Sequence, residues 1–542
     1  MRISQLQIHS LLKNCNSISH LKQIHAKILR LNLHEHYSFT SSLITLYTSL
    51  SPHHIRLLFS SLSEYTTVYL FNCSIRFFSK TPSFYLESLH LYLQMVRSHF
   101  KPDNYTYPFV LNSCAAIWYL NYGCGVHGRI VKSGFCSIIE IFNALIDMYG
   151  KCGKLGYARK VFDEMPQRDV VSYNALLGAY ARIGEDMTDA RMVFDSMPIR
   201  NLISWNAMIV GYANCGDIDS AQLIFDMMND KNVVSWTTML VGYTKNRLMD
   251  KARIIFEAMP EKTLVCWTAM ISGYAQNGVP NEALKYFYGM QRARVRPDPY
   301  AMTAVMSAIA QLGCPDLASW ITTLVDQEGI ERNERVLTSL VDMHAKCGNI
   351  EKACQFFEKI PRPDVYPYSA LITGLASHGH GLKALEIFRK MLLENVEPDY
   401  VTFVGVLNAC SHAGLVEEGL AYWESMINEY KIQPDAGHYA CVIDMLGRAG
   451  RLEQAYKMLQ SMPMDPRPGA LGALLAACRT YNNVRIAESV AQELFVLEPQ
   501  NTGNYVLLSG IYAAREEWDD AARIRKAMTK RISAKEPGYS WI

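Results

Sequence analysis

The 542-residue sequence has no apolar run approaching the ~20 residues that a membrane-spanning helix needs, so no membrane partner is expected. It also has almost no excess of either charge: 53 Lys and Arg stand against 51 Asp and Glu, a balance of +2. Bulk attraction to phosphate therefore cannot be the main source of any nucleic-acid affinity, and recognition of such a partner would rest on placed side chains. The 14 cysteines, spread from Cys15 to Cys478, never form a CxxC pair. That spacing disfavours disulfide and zinc frameworks, and contexts such as Asn408-Ala409-Cys410 read as small buried thiols in a reducing compartment. Acidic residues are missing from the first 34 positions, which carry Arg2, Lys13, Lys22, Lys27 and Arg30 among several serines. This composition suits an organellar transit peptide over residues 1–36. The same segment also reads as part of a first repeat, because His20-Leu21-Lys22-Gln23-Ile24-His25 falls in register with later helices.

What the sequence does have is a period. A small residue, an aromatic four positions later and Met three after that recur as Ala158/Phe162/Met165, Ala190/Phe194/Met197, Ala221/Phe225/Met228, Ala252/Phe256/Met259, Ala283/Phe287/Met290, Ala384/Phe388/Met391 and Gly419/Trp423/Met426. Offsets of four and seven place all three side chains on one stripe of a helix. Successive small residues at 190, 221, 252, 283, 318, 353, 384, 419 and 455 step by 31 or 35, with 36 at the last step and 32 from 158 to 190. Each unit opens with a helix such as Ser204–Tyr212, which stops at Gly216; Asp217 or Asp219 then starts a second helix that ends near Met-Pro or Met-Asn. One hairpin cannot bury its apolar stripe alone, and stacked neighbours can. The expected fold is all-α: a right-handed α-solenoid superhelix of helix-turn-helix repeats, with the aromatic and Met stripe as its core.

The phrases Asp169-Val170-Val171-Ser172-Tyr173-Asn174-Ala175-Leu176-Leu177 and Asn143-Ala144-Leu145-Ile146-Asp147-Met148-Tyr149-Gly150-Lys151-Cys152-Gly153, with unit endings such as Val396-Glu397-Pro398-Asp399, resemble plant pentatricopeptide repeats over nearly the whole chain. Unit lengths mix: long at 2–36, 104–138, 299–333 and 400–435; standard at 68–103, 264–298 and 365–399; short at 37–67, 139–169, 170–201, 202–232, 233–263, 334–364 and 436–466. This mixture is similar to the plant class of long, short and standard repeats. Leu474-Leu475-Ala476-Ala477-Cys478-Arg479, Leu497-Glu498-Pro499, Asn504–Ser509 and the ending Lys535–Ile542 resemble the two degenerate hairpins of the E domain, with Leu471 where the family usually has Trp. The resulting division is a repeat array at 37–466 and an E domain at 467–542. Related proteins continue into a cytidine-deaminase-like domain, whose zinc chemistry needs His-x-Glu and Pro-Cys-x-x-Cys; neither occurs in this chain. No catalytic role, metal or cofactor is expected.

The resemblance implies one RNA base read per repeat by two side chains, the fifth residue of the first helix and the last residue of the repeat. Mapped unit by unit, these are Asn72 with Asp103, Asn143 with Asp169, Asn174 with Asn201, Asn206 with Asn232, Thr237 with Thr263, Thr268 with Asp298, Thr303 with Asn333, Thr338 with Asp364, and Ser369 with Asp399. Pro108 with Ile138, Val404 with Asp435 and Ala440 with Pro466 depart from the pattern and receive no base. From the unit at 68 the family code gives U, unread, U, pyrimidine, pyrimidine, unassigned, G, A, G, G. Taken singly, such residues more often only cap helices or make turns; recurrence in one register favours reading. The resemblance implies a site-recognition factor for C-to-U editing of organellar transcripts. Its partners would be single-stranded RNA, a deaminase-bearing pentatricopeptide relative and the multiple organellar RNA editing factor proteins. Organellar RNA splicing, stability or translation is the second reading, and a protein-binding scaffold the third. The mitochondrion is the expected compartment, with the chloroplast as the alternative.

Overall fold

The structure, a computed structural model, describes residues 5–31, 33, 36–50, 55, 67–135, 137–185, 187–463 and 468–531; the sequence motif at 535–542 lies outside them. Among these residues the regular elements are helices, with no strand. The chain divides into two compact units, Met1–Lys262 and Thr263–Ile542, and each is a stack of helical hairpins.

In the first unit the hairpin Leu202–Asn214 and Ile218–Met227 shows how sequence sets the geometry. Asn201 caps the first helix, Gly216 reverses the chain at φ +85°, and the Asp217 side chain accepts from the Ser220 amide to start the second helix. A residue without Cβ adopts that left-handed φ at no steric cost. The small, aromatic and Met stripe is core, as the period implies: Ala221 is fully buried, with Phe225 and Met228 nearly so. First helices of successive hairpins lie side by side, as Ile139–Lys151, Val170–Ile183, Leu202–Asn214 and Val233–Lys245 do. Side-chain amides lock their register from one hairpin to the next. Asn214 donates to the Ala181 carbonyl at 2.8 Å and Asn246 to that of Ala213 at 2.9 Å. At the other end of the hairpin, Arg168 lies 4.8 Å over the Phe162 ring and donates to the carbonyls of Phe162 and Asp163; Arg200 repeats this over Phe194. A guanidinium there adds a side-chain donor to the carbonyls at the end of the second helix, and it fixes the loop that carries the next cap residue. The start of this unit is also a hairpin, Gln5–Lys13 and Ile18–Arg30. It buries Ile8, Leu12, Leu21, Ile24 and Ile28.

The second unit follows the same plan. A Cβ on Gly374 would lie 2.4 Å from that of Ala345, which shows how closely its first helices approach. Gln311 donates to the Ala275 carbonyl at 2.8 Å, the counterpart of the Asn214 and Asn246 bonds. Its last two hairpins are Pro468–Thr480 with Val484–Leu497 and Thr502–Ala514 with Trp518–Arg531; Leu471 is fully buried in the first of them.

One buried histidine gives this unit an acid-sensitive point. His344 Nε2 lies 2.9 Å from Thr322 Oγ1, whose own hydrogen goes to the Ala318 carbonyl at 2.7 Å, so the ring must donate through Nε2. Its Nδ1 then accepts from the Asn349 amide at 3.4 Å, an arrangement that suits only the neutral ring. Burial, with the Lys352 charge assisting, pushes the His344 pKa down to about 4. The folded value lies below the ordinary one of about 6.5, so the unfolded chain binds more protons between them and stability falls as pH drops from about 6.5 towards 4. Thermal unfolding midpoints measured across that range should show His344→Gln losing part of the acid-side slope; an unchanged slope would refute the assignment.

Candidate nucleic-acid interface

The first member of every proposed reading pair is the fifth residue of its helix: Asn72 in Val68–Phe78, Asn143 in Ile139–Lys151, Asn174 in Val170–Ile183, Asn206 in Leu202–Asn214, Thr237 in Val233–Lys245, Thr268 in Leu264–Gln276, Thr303 in Pro299–Leu312, Thr338 in Glu334–Lys346 and Ser369 in Val365–Ser377. None of them caps a helix. Asn143, Asn174, Asn206, Thr268 and Thr338 are half-buried, neither packed into the core nor fully exposed. Asn72, Thr303 and Ser369 are more buried, at 9%, 8% and 4% exposure.

The second members do cap helices, with one exception. Asp169, Asn201, Asn232, Asp298, Asn333, Asp364 and Asp399 are the N-caps of the following first helices, and each accepts backbone N–H groups through its side chain; Asp103 does the same for Tyr105 and Thr106. Thr263 makes no such cap bond; its hydroxyl lies 3.1 Å from Cys266 Sγ. Capping does not exclude a further role, because it engages one terminal atom. In Asp169 it is Oδ1 that accepts from the Ser172 amide at 2.8 Å, and in Asn201 it is Oδ1 that accepts from Ile203 and Ser204, both at 3.1 Å. Outside the cap this leaves a carboxylate oxygen in Asp169 and an NH₂ donor in Asn201. Burial raises the Asp169 pKa, but hydrogen bonds from Ser172 and Asn143 outweigh it and hold the carboxyl below its ordinary value. Asp169 is therefore an ionised acceptor at neutral pH.

Four pairs are joined directly. Asn143 Nδ2 donates to Asp169 Oδ1 at 3.5 Å, Asn174 Nδ2 to Asn201 Oδ1 at 3.2 Å, and Ser369 Oγ to Asp399 Oδ1 at 3.4 Å. Asn72 Nδ2 donates to both oxygens of Asp103, at 2.9 and 3.1 Å, and its own oxygen accepts from Thr106 Oγ1 at 2.7 Å, so this pair satisfies itself. Asn206 with Asn232, Thr268 with Asp298, Thr303 with Asn333, and Thr338 with Asp364 make no direct hydrogen bond. Thr237 and Thr263 belong to different units and are described separately; the Thr237 hydroxyl donates to the Val233 carbonyl at 2.7 Å. Four oxygens of the fifth-position residues are buried with no hydrogen-bond partner: Oδ1 of Asn143, Asn174 and Asn206, and Oγ1 of Thr268. Leaving such a group unsatisfied costs about 1–3 kcal/mol, so it is usually placed to meet something.

In the second unit the pairs line open cavities. One of about 460 Å³ is bordered by Thr303, Thr338, Ser369, Asp399, Tyr366 and Tyr400, and one of about 360 Å³ by Arg335, Thr338, Asp364 and Tyr366. Tyr366 and Arg335 belong to a stripe that sequence reasoning missed. Two residues after the cap, three before the polar residue, stands an exposed apolar or aromatic side chain: Val171, Ile203, Val234, Val265, Tyr300 and Tyr366 are each 57–69% exposed. A hydrophobic side chain on the outward face of an otherwise amphipathic helix, at spacing i, i+3 from a recurring Asn or Thr, was the available signal. Arg335 occupies this position in its helix and stacks its guanidinium 4.5 Å from the centre of the Tyr300 ring in the preceding repeat. Flat or branched apolar surfaces beside hydrogen-bonding groups, repeated at hairpin spacing, form a row of slots suited to planar polar ligands.

Comparisons with known proteins agree with this geometry. The sequence matches the PPR repeat over residues 140–170, 171–202, 203–233, 234–264, 265–295, 335–363, 401–430 and 438–465, the PPR repeat family over 363–412, and the E motif over 481–542. Pentatricopeptide repeat-containing protein At3g29230 of Arabidopsis thaliana is 45% identical over 534 residues, covering 98% of this chain and 89% of its own. The putative pentatricopeptide repeat-containing protein At5g37570 of the same plant is 45% identical over 546 residues, covering 99% and 98%. At2g22410, named mitochondrial, is 36% identical over 579 residues and covers 98% and 84%. Among solved structures, the maize pentatricopeptide repeat protein PPR10, in complex with an 18-nt psaJ RNA element, superposes with a TM-score of 0.53 at 16% identity over 97% of this chain and 86% of that one, a likeness of fold. Repeat spacing, hairpin geometry and these similarities together establish that the chain belongs to the pentatricopeptide repeat family and carries its E motif.

Proposed function

We propose that the chain grips one stretch of single-stranded RNA, base by base, and marks an organellar transcript for C-to-U editing carried out by a partner. The observation that carries this reading is the register. In each of nine hairpins the fifth residue of the first helix is Asn, Thr or Ser, and seven of the nine following hairpins begin on a side-chain cap whose second polar atom is left over for a ligand. Where the cap is Asp, the remaining oxygen accepts, which suits the ring N–H of U or G; where it is Asn, the remaining NH₂ donates, which suits the bare ring nitrogen of C or A. The exposed stripe two residues after each cap supplies apolar faces on which bases stack. A psaJ RNA element is bound by the maize protein of similar fold.

The array at 37–466 holds the RNA in this proposal, and the hairpins at 467–542 recruit a deaminase-bearing relative and the multiple organellar RNA editing factor proteins. The mitochondrion is the proposed compartment, in keeping with the name of one relative. Sequencing organellar transcripts from a loss-of-function plant is the direct test. One cytidine left unedited, preceded by U, any base, U, two pyrimidines, any base, G, A, G, G, is the expected result. Full editing beside an unspliced intron or a lost transcript end would replace editing by the second role.

A further inference from the structure

A basic cavity without any carboxylate lies at the loop end of two consecutive hairpins in the first unit. The helix Tyr85–Arg97 runs into the turn His99-Phe100-Lys101-Pro102, with His99 at φ +61°, and the helix Leu120–Lys132 ends on Ser133. Between these two ends lies a cavity of about 300 Å³ whose polar lining is His99, Lys101, Tyr107, Arg129, Lys132 and Ser133. The Tyr107 and Ser133 hydroxyls stand 3.4 Å apart in its wall. Arg129 also lies beside the phenol of Tyr92, a neutral neighbour rather than a counter-ion. Lys101, Arg129 and Lys132 have no ion-pair partner among the described residues, in a chain whose overall charge is only +2.

Two equivalent places elsewhere in the chain show that this is a departure. Lys101 stands two residues before Asp103; Arg296 stands two before Asp298 and is paired at 3.3 Å with Glu328, the C-cap of the next second helix, Pro315–Gln327. The residue two before Asp399 is Glu397, and the corresponding C-cap is Glu429. Where one hairpin pair supplies an internal carboxylate and another reverses the sign, this pair has Ser133 at the C-cap and adds Arg129 and Lys132. The hairpin concerned is also the one whose reading positions hold Pro108 and Ile138, side chains with no hydrogen-bonding group for a base edge. It lacks the means to read sequence and has an unbalanced positive pocket instead.

We propose that this cavity binds a phosphate group, and that the bound RNA supplies it as the strand crosses the hairpin that reads no base. This rests on the RNA-binding reading above. Two ammonium groups, a guanidinium fork and two hydroxyls match the several oxygens of a phosphate, and such contacts position a strand without carrying sequence information.

The test uses the full chain and the variant Lys101→Gln/Arg129→Gln/Lys132→Gln. All three side chains are exposed, so the variant keeps the fold, which its melting curve checks. Affinity is measured against salt for RNA carrying the expected word and for RNA of unrelated sequence. Each lost phosphate contact lowers the slope of log K against log salt by about 0.7 for single strands. The expected result is a slope smaller by about 0.7, and a loss of about tenfold at low salt that is equal for both RNAs. A second arm adds inorganic phosphate alone. If phosphate raises the melting temperature of the wild type but not of the variant while RNA slopes stay equal, the site takes free phosphate and the RNA source is wrong. Wild-type RNA binding with an unchanged variant slope and no response to phosphate overturns the proposal. A wild type that binds no RNA overturns the reading beneath it, while the phosphate arm still judges the pocket.

Discussion

Phe388→Ala is expected to destabilise the Thr263–Ile542 unit by about 3–5 kcal/mol, the range for deleting a buried aromatic ring. Phe388 is 1% exposed in the second helix of its hairpin, Gly381–Leu393, and its ring meets two others edge-on: Phe403 with centroids 5.9 Å apart and Tyr422 at 5.4 Å. Those partners lie in the first and second helices of the next hairpin, Tyr400–Ala413 and Val416–Asn428. One side chain therefore joins three helices across a hairpin boundary. In a stack where each repeat contacts only its neighbours, stability is a sum of local terms and boundary terms. The loss should accordingly concentrate at this boundary and broaden the unfolding transition rather than shift it as a whole. Denaturant unfolding followed by circular dichroism, with hydrogen exchange to place the weakened segment, reads both effects. Leu382→Ala in the same helix is the control, since Leu382 is 66% exposed and its truncation should stay within about 0.5 kcal/mol. A cost below about 1 kcal/mol for Phe388→Ala would mean that the aromatic stripe does not hold the stack.

That stripe was readable without coordinates because its spacing is local. Ala384, Phe388 and Met391 fall four and seven residues apart, and any helix puts them on one face. The turns were readable for the same reason: Gly216 adopts φ +85° and Asp217 caps Ile218–Met227, both recognisable from residue type next to the end of an apolar period. What could not be read are the contacts that cross from one hairpin to the next. The Asn214 amide on the Ala181 carbonyl and the Asn246 amide on the Ala213 carbonyl link residues 33 apart, and nothing in the local pattern of either partner announces them. Asn72 shows the consequence for the interface. By residue type it is the same reader as Asn143, yet Asp103 and Thr106 occupy both ends of its amide, while Asn143 keeps an oxygen without a partner. The sequence pattern ranks the two as equal, and the neighbouring hairpin decides otherwise. Likewise, residue type alone leaves capping and reading as alternatives for each residue, whereas the geometry divides them by position: second members other than Thr263 cap and first members do not.

Asn143→Thr should change the base preferred at its slot from U to G while leaving the rest of the RNA word untouched. The side chain stands on the half-buried fifth position of Ile139–Lys151, so a hydroxyl replaces an amide without disturbing the core. Asp169, which accepts from Ser172 through Oδ1, keeps its cap and its ionised second oxygen, and both U and G offer that oxygen a ring N–H. The discrimination therefore passes to position 143, where the smaller Thr leaves room for a purine and the longer amide does not. A well-made base contact discriminates by about 1–3 kcal/mol. At 1.4 kcal/mol per factor of ten, the ratio of affinities for G and U should change by roughly tenfold to hundredfold. Competition binding with four RNAs that differ only at that base measures it. Asp169→Asn is the complementary change: its Oδ1 can still cap Val170–Ile183, so the melting temperature should hold, while the remaining atom turns from acceptor to donor and the preferred base moves from U to C. If both variants bind all four RNAs in the wild-type order, the fifth-position and cap residues are a structural seam between hairpins, and the bases, if bound at all, are read elsewhere.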